Sequence, residues 1–175
     1  MLKNVVKRFL SVFLSIIIIN SCMIYQSAAE ETPMFIISDA VCNAGEDFSV
    51  TVECSGNPGI TAWKVDIYYD SNKMELLEYD VNGVFGAAIP SQTVKANPFV
   101  ISWNNDITDV KVNGKIADLK FKIKENTPTG NYPITLVYDE DNVYSVVLDA
   151  YGSETNVYFG IKNGSITVKE KNMIF

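Results

Sequence analysis

Between residues 34 and 168 apolar and polar positions alternate in short runs, and no stretch repeats at the helical period. In "DFSVTVEC" Phe48, Val50 and Val52 fall on one side and Ser49, Thr51 and Glu53 on the other. In "TAWKVDIYYD" Trp63, Val65, Ile67 and Tyr69 form one row, and Ala62, Lys64, Asp66 and Tyr68 the opposite one. "FVISWNND" sets Phe99, Ile101 and Trp103 against Val100, Ser102 and Asn104; "ADLKFKIKE" sets Leu119, Phe121 and Ile123 against Lys120, Lys122 and Lys124. "FIISDAV", "KMELLEYDV", "ITLVYD", "VYSVVLDA" and "NVYFGIKNGSITV" read as further strands, while "VNGVFGAAIPSQTVKANP" is a loop-rich excursion and "TPTGNYP" a turn. The runs are bounded by Gly, Pro, Asn or Asp, which favour turns. Such alternation gives each sheet one buried and one wet face. Two sheets packed through their apolar faces make an all-β, nine-stranded sandwich.

The N-terminus follows a different rule. Lys3, Lys7 and Arg8 precede the uncharged run "FLSVFLSIIII", and "SAA" follows with small residues at Ser27 and Ala29. A basic stretch, an apolar stretch and a small-residue cleavage site describe a secretory signal peptide over residues 1–29. A second reading is open at "INSC", where an apolar residue, a small residue and Cys22 resemble a bacterial lipobox. Processing there would leave a lipid on Cys22 and tether the protein to a membrane. The remainder is one domain, residues 30–169, with a short tail at 170–175. No further module fits in the tail.

Composition removes most chemistry. The chain carries 14 Lys and Arg against 21 Asp and Glu, has no His, and its net charge is −7. Arg8, the sole arginine, lies in the signal segment. An acidic, arginine-free domain is a poor ligand for nucleic acid. Without His, imidazole acid–base catalysis and histidine metal ligation are excluded. There is no Gly-x-Ser-x-Gly elbow and no phosphate-cradling glycine loop, which leaves paired carboxylates facing across a cleft, as in a glycosidase, as the enzymatic chemistry still open. Cys42 and Cys54 lack the CxxC spacing of a zinc site. Read as lying on a hairpin that closes near Gly45 in "NAGED", with Cys42 beside the turn and Cys54 well along the return strand, they stand too far apart to be bridged, and free, buried thiols are expected. Asp139, Glu140, Asp141 and Asn142 could offer hard oxygens to calcium, as could "NNDITD", but both also read as solvated acidic turns. Trp63 and Trp103 raise the possibility of a carbohydrate platform, yet both fall in apolar rows and belong in a core.

The order of these strands resembles that of a cohesin, the receptor module of cellulosome scaffoldins. The likeness rests on "AGEDFSVTVECSG", "PGITAWKVDIYYDSNKMELLE", "FVISWNND", "GKIADLKFKIKENTPTGNYPITL" and "KNGSITV", together spanning about residues 34–168. The resemblance implies a nine-stranded jelly-roll β-sandwich without catalysis that binds dockerins, which are calcium-loaded helical pairs on enzymes or other scaffold proteins. It implies no cofactor on this chain, since the calcium belongs to the dockerin. It also implies an extracellular location, secreted or surface-anchored, in an anaerobic bacterium. The binding face would be the outer side of one sheet: Ala62, Lys64, Asp66 and Tyr68 from the third strand, Val100, Ser102 and Asn104 from the sixth, Val147 and Asp149 from the eighth, with Tyr151 and Glu154 beyond. The fifth strand is expected within "SQTVKA". Some cohesins carry an amide or acid early in the third strand; Ala62 and Lys64 depart from that and bear on the choice of dockerin. The alternatives are a carbohydrate-binding module of a secreted polysaccharide-degrading system, which would share the sandwich fold, and a general adhesion domain.

Overall fold

The structure, a computed structural model, describes residues 31–91, 93–105, 108–138, 144–145 and 155–170. The strands in chain order are β1 (Met34–Ile37), β2 (Ala40–Asn43), β3 (Asp47–Ser55), β4 (Ala62–Tyr69), β5 (Met74–Asp80), β6 (Asn82–Gly83), β7 (Gly86–Ala87), β8 (Ile89–Pro90), β9 (Phe99–Asn104), β10 (Gly114–Ile123), β11 (Gly130–Val137), β12 (Tyr144–Ser145), β13 (Thr155–Asn156), β14 (Gly160–Lys162) and β15 (Gly164–Lys169). Nine of them have four residues or more. One sheet runs β14-β1-β3-β10-β5. The other runs β13-β12-β4-β11-β15-β2, with β9 on the free side of β4 and β8 beyond β9. The all-β sandwich expected from the alternation is present.

Alternation decides what each sheet buries. Phe48, Val50 and Val52 of β3, Trp63, Val65, Ile67 and Tyr69 of β4, Phe99, Ile101 and Trp103 of β9, and Leu119, Phe121 and Ile123 of β10 all enter one core. Aromatic rings lock it. Phe35 stacks on Phe159 at 4.5 Å, and Tyr69 meets Phe121 edge-on at 5.1 Å. Phe85, carried by the β6–β7 hairpin, closes the core over Trp63 and Trp103. Each buried ring of this kind contributes about 2–3 kcal/mol of apolar transfer.

Three expected elements differ, and in each case polar residues explain why. "FIISDAV" is two strands in different sheets: β1 pairs with β3, and β2 pairs with β15. The chain changes sheet at Ser38 and Asp39. Ser38 donates its N–H to the Thr51 carbonyl (3.0 Å), and its hydroxyl accepts the Thr51 N–H (2.9 Å). Asp39 Oδ1 accepts the Ser165 N–H (2.8 Å) and hydroxyl (3.0 Å). "NVYFGIKNGSITV" divides the same way, with β14 parallel to β1 and β15 antiparallel to β11. The two crossings touch at Gly164, where a Cβ would lie 2.6 Å from the Ser38 carbonyl oxygen. A side chain there would force the crossings apart. Finally, β11 begins at Gly130, so Asn131 to Pro133 belong to a strand rather than to the expected turn. Buried Thr127 ends that turn earlier, its hydroxyl donating to the Lys73 carbonyl at 2.9 Å.

The turn at Gly45 therefore joins β2 and β3 across the two sheets and does not close a hairpin within one. Cys42 and Cys54 are free and buried, as expected. Burial pushes the Cys54 thiol up to about 12. Burial, and then the charge of Glu46, raises Cys42 as well. Neither thiol is a ready nucleophile at neutral pH.

Candidate protein-binding face

β4 lies between β9 and β11, and its outward row is set by register. Ala62 stands opposite Asn104, Lys64 opposite Ser102 and Asp66 opposite Val100. On the other side Tyr68 stands opposite Thr135 and Asp66 opposite Val137. β8 adds Ile89 opposite Ser102. Cross-strand partners share a face, so these positions form one surface. Seven of the positions expected from the sequence are thus brought together: Ala62, Lys64, Asp66, Tyr68, Val100, Ser102 and Asn104. Val147, Asp149, Tyr151 and Glu154 lie outside the described residues, as do the signal segment with Cys22 and the Asp139–Asn142 cluster.

Local hydrogen bonds fasten the edges of this surface. Ser91 fastens β8 to β9 from both ends of one residue. Its N–H donates to the Val100 carbonyl (2.7 Å), and its hydroxyl accepts the Val100 N–H (2.8 Å). Pro90 lacks an N–H and so ends the sheet edge without offering a donor to another strand. At the far end of β4, Asn57 pins the loop entering the strand. Its side-chain amide donates to the carbonyls of Val110 (2.9 Å) and Val112 (3.0 Å), and its Oδ1 accepts the Gly59 N–H (2.9 Å). The Asn105 N–H donates to the Thr61 carbonyl at 2.6 Å, which holds the end of β9 beside it.

The surface carries exposed apolar residues around a charged pair. Ile89 is 63 % exposed, Val137 46 % and Tyr68 43 %. Lys64 and Asp66 are the charged pair among them, with Nζ 3.9 Å from Oδ1. That oxygen is enclosed and has no hydrogen-bond partner among the described residues. Trp63 and Trp103, 1 % and 9 % exposed, point the other way into the core, so no tryptophan offers a sugar platform here.

A cohesin-domain profile matches residues 34–168, which is most of the chain. The chain belongs to the cohesin domain family. Solved structures share the fold. The seventh ScaB type I cohesin from Pseudobacteroides cellulosolvens is 20% identical over 82% of this chain and 96% of its own, with a TM-score of 0.67. A cohesin from a type I cohesin–dockerin complex of Clostridium thermocellum is 16% identical over 79% of this chain and 100% of its own, with a TM-score of 0.62. A non-cellulosomal cohesin from the archaeon Archaeoglobus fulgidus is 15% identical over 81% of this chain and 94% of its own, also with a TM-score of 0.62. Comparison with curated proteins gave no match.

Two exposed members of this cohesin face were not expected from the sequence. Val137 was legible: with Ile134 and Leu136 buried, the alternation of "ITLV" turns Thr135 and Val137 outward. Ile89 was not. The strand beside β9 is β8, at Ile89–Pro90, whereas the fifth strand was expected within "SQTVKA". That segment instead turns at Thr93, whose hydroxyl accepts the Lys95 N–H (3.2 Å) and whose carbonyl accepts the Ala96 N–H (3.1 Å). A threonine bonding its own backbone in this way competes with strand pairing.

Proposed function

We propose that this cohesin is a non-catalytic receptor that docks a calcium-loaded dockerin on the outer face of β8, β9, β4 and β11. The observation that carries the reading is the set of apolar residues Tyr68, Val100, Ile89 and Val137 spread over adjacent strands around Lys64, Asp66 and Ser102. A few apolar and aromatic anchors interspersed with polar groups are usual in a protein interface. Structural relatives supply the partner class, since several were solved as cohesin–dockerin complexes. Val147, Asp149, Tyr151 and Glu154 extend the proposed face along the sequence. The domain proper is residues 30–169. With residues 1–29 as a signal peptide it works outside the cell, and Cys22 lipidation would hold it at the surface. Calcium is needed by the dockerin and not by this chain. The carbohydrate-binding alternative loses its main support with both tryptophans in the core.

The test is calorimetry against the dockerins of the same genome, with calcium and with chelator. At least one calcium-loaded dockerin should bind, and chelator should abolish binding. Tyr68→Asp and Val100→Asp should each remove binding while the melting temperature holds. Binding that survives both changes would place the interface elsewhere. Binding to soluble glucans but to no dockerin would favour the carbohydrate reading.

A further inference from the structure

Asp66 occupies the middle of the proposed face in an unusual state. Its neighbours across the register are two aliphatic residues, Val100 on β9 and Val137 on β11. Its Oδ1 is already enclosed and accepts no hydrogen bond among the described residues. Lys64 Nζ stands 3.9 Å away, beyond hydrogen-bonding reach, with its side chain 44% exposed. The free domain tolerates this because the carboxylate, 27% exposed, still meets water. A partner that covers Val100 and Val137 takes that water away. A carboxylate enclosed without donors is strongly unfavourable, so such a partner must bring a countercharge.

We infer that Asp66 selects the partner, by requiring a Lys or Arg side chain set within an apolar helix face. This rests on the docking reading above and specifies the chemistry of its occupant. Val100, Asp66 and Val137 span two inter-strand spacings, about 10 Å. A helix laid across the strands covers that distance between positions i and i+7. The matching pattern is an apolar residue at i, a cation at i+3 or i+4, and an apolar residue at i+7. The cation pairs with the side of the Asp66 carboxylate that still meets water, and the two apolar residues cover the valines. A dockerin helix with an uninterrupted apolar stripe would leave the carboxylate unpaired and be rejected, which is discrimination by an uncompensated charge.

The experiment measures wild type, Asp66→Asn and Asp66→Ala by calorimetry against the same calcium-loaded dockerins. Both variants should bind the cognate dockerin about 30-fold more weakly or worse. Their melting temperatures should stay level or rise, because an enclosed charge has been removed. Changing the dockerin's Lys or Arg to Met should weaken binding to wild type and add nothing further in Asp66→Asn. Wild-type affinity in Asp66→Asn, or tighter binding by Asp66→Ala, would overturn the inference. Should Tyr68→Asp abolish binding while Asp66→Asn leaves it intact, the docking face stands and only the role of Asp66 fails. Should wild type bind no dockerin, both fall.

Discussion

The two outer faces of the sandwich are built from the same alternation but end in opposite conditions. On the β3–β10–β5 face the charges answer one another. Lys120 lies 3.4 Å from Asp47 and 3.6 Å from Glu78. Lys115 lies 2.7 Å from Asp118, which also accepts the Thr51 hydroxyl at 2.8 Å. On the β9–β4–β11 face Ile89, Val137 and Tyr68 are exposed, and Asp66 Oδ1 lacks a donor among the described residues. The first face pairs Lys115 and Lys120 with its own carboxylates. The second leaves apolar area and one carboxylate oxygen unmet. Scattered apolar residues on a surface mean little, but a contiguous set around an unsatisfied charge marks a contact surface.

The largest expected effect breaks that symmetry directly. Val137→Asp or Ile89→Asp should weaken dockerin binding about 100-fold, roughly 3 kcal/mol, because each adds a second carboxylate to a surface meant to be desolvated. The matched change on the opposite face, Ser49→Asp, places its acid opposite Lys120 and should leave affinity unchanged. Titration calorimetry on the three variants decides it. Equal losses from both faces would mean that the contrast drawn above has no bearing on binding.

How much of this was legible in the sequence depends on whether a residue's neighbours lie on its own strand or across the sheet. The inward rows were legible because alternation is a property of one strand: Trp63, Val65 and Ile67 could be placed with no knowledge of their partners. The outward row of β4 was legible for the same reason. Sheet membership was not. "FIISDAV" reads as continuous, and only the bonds from Ser38 to Thr51 and from Ser165 to Asp39, 126 residues apart, divide it between sheets. Ile89 likewise acquires its face only through its register with Ser102. The condition of Asp66 was least legible of all. As one polar letter in an alternating run it looks like any solvated residue, and its lack of a donor appears only when Val100 and Val137 are set on either side.

A smaller effect concerns the loop that carries the chain from the charged sheet to the docking sheet. Asn57 is buried, and its side chain holds three backbone groups of two loops. Asn57→Ala would strand those groups and should cost about 2 kcal/mol of stability. Urea unfolding would read it as a lower midpoint with an unchanged slope. Affinity measured well below the new transition should stay close to wild type, since Asn57 does not reach the face. A large affinity loss in a folded Asn57→Ala protein would show that the loop shapes the docking sheet as well as joining the two.

The smallest effect tests whether the charged face is as self-sufficient as it looks. A hydrogen bond from Lys115, and a second from the Thr51 hydroxyl, hold Asp118 below the usual carboxylate range. Asp80 is lowered by the backbone and side-chain donors of Asn82, then by Lys115. Lys115 is raised in turn, chiefly by its bond to Asp118. A lowered carboxylate stabilises the fold above its unfolded value, about pH 4, and that gain is lost as pH falls through the folded value. A raised lysine stabilises below its unfolded value, about pH 10, and the gain is lost as pH rises through the folded value. The network is therefore complete between those limits. Lys115→Met should lower the melting temperature slightly at pH 7, and the difference from wild type should close as the solution is taken below pH 4. The effect is small because these groups are exposed and water screens them. A difference that persists unchanged into acid would mean that Lys115 acts through the packing of its stem and not through its charge. The β3–β10–β5 face would then owe its inertness to shape and to water alone, and the contrast with the docking face would rest on Asp66 and its apolar neighbours.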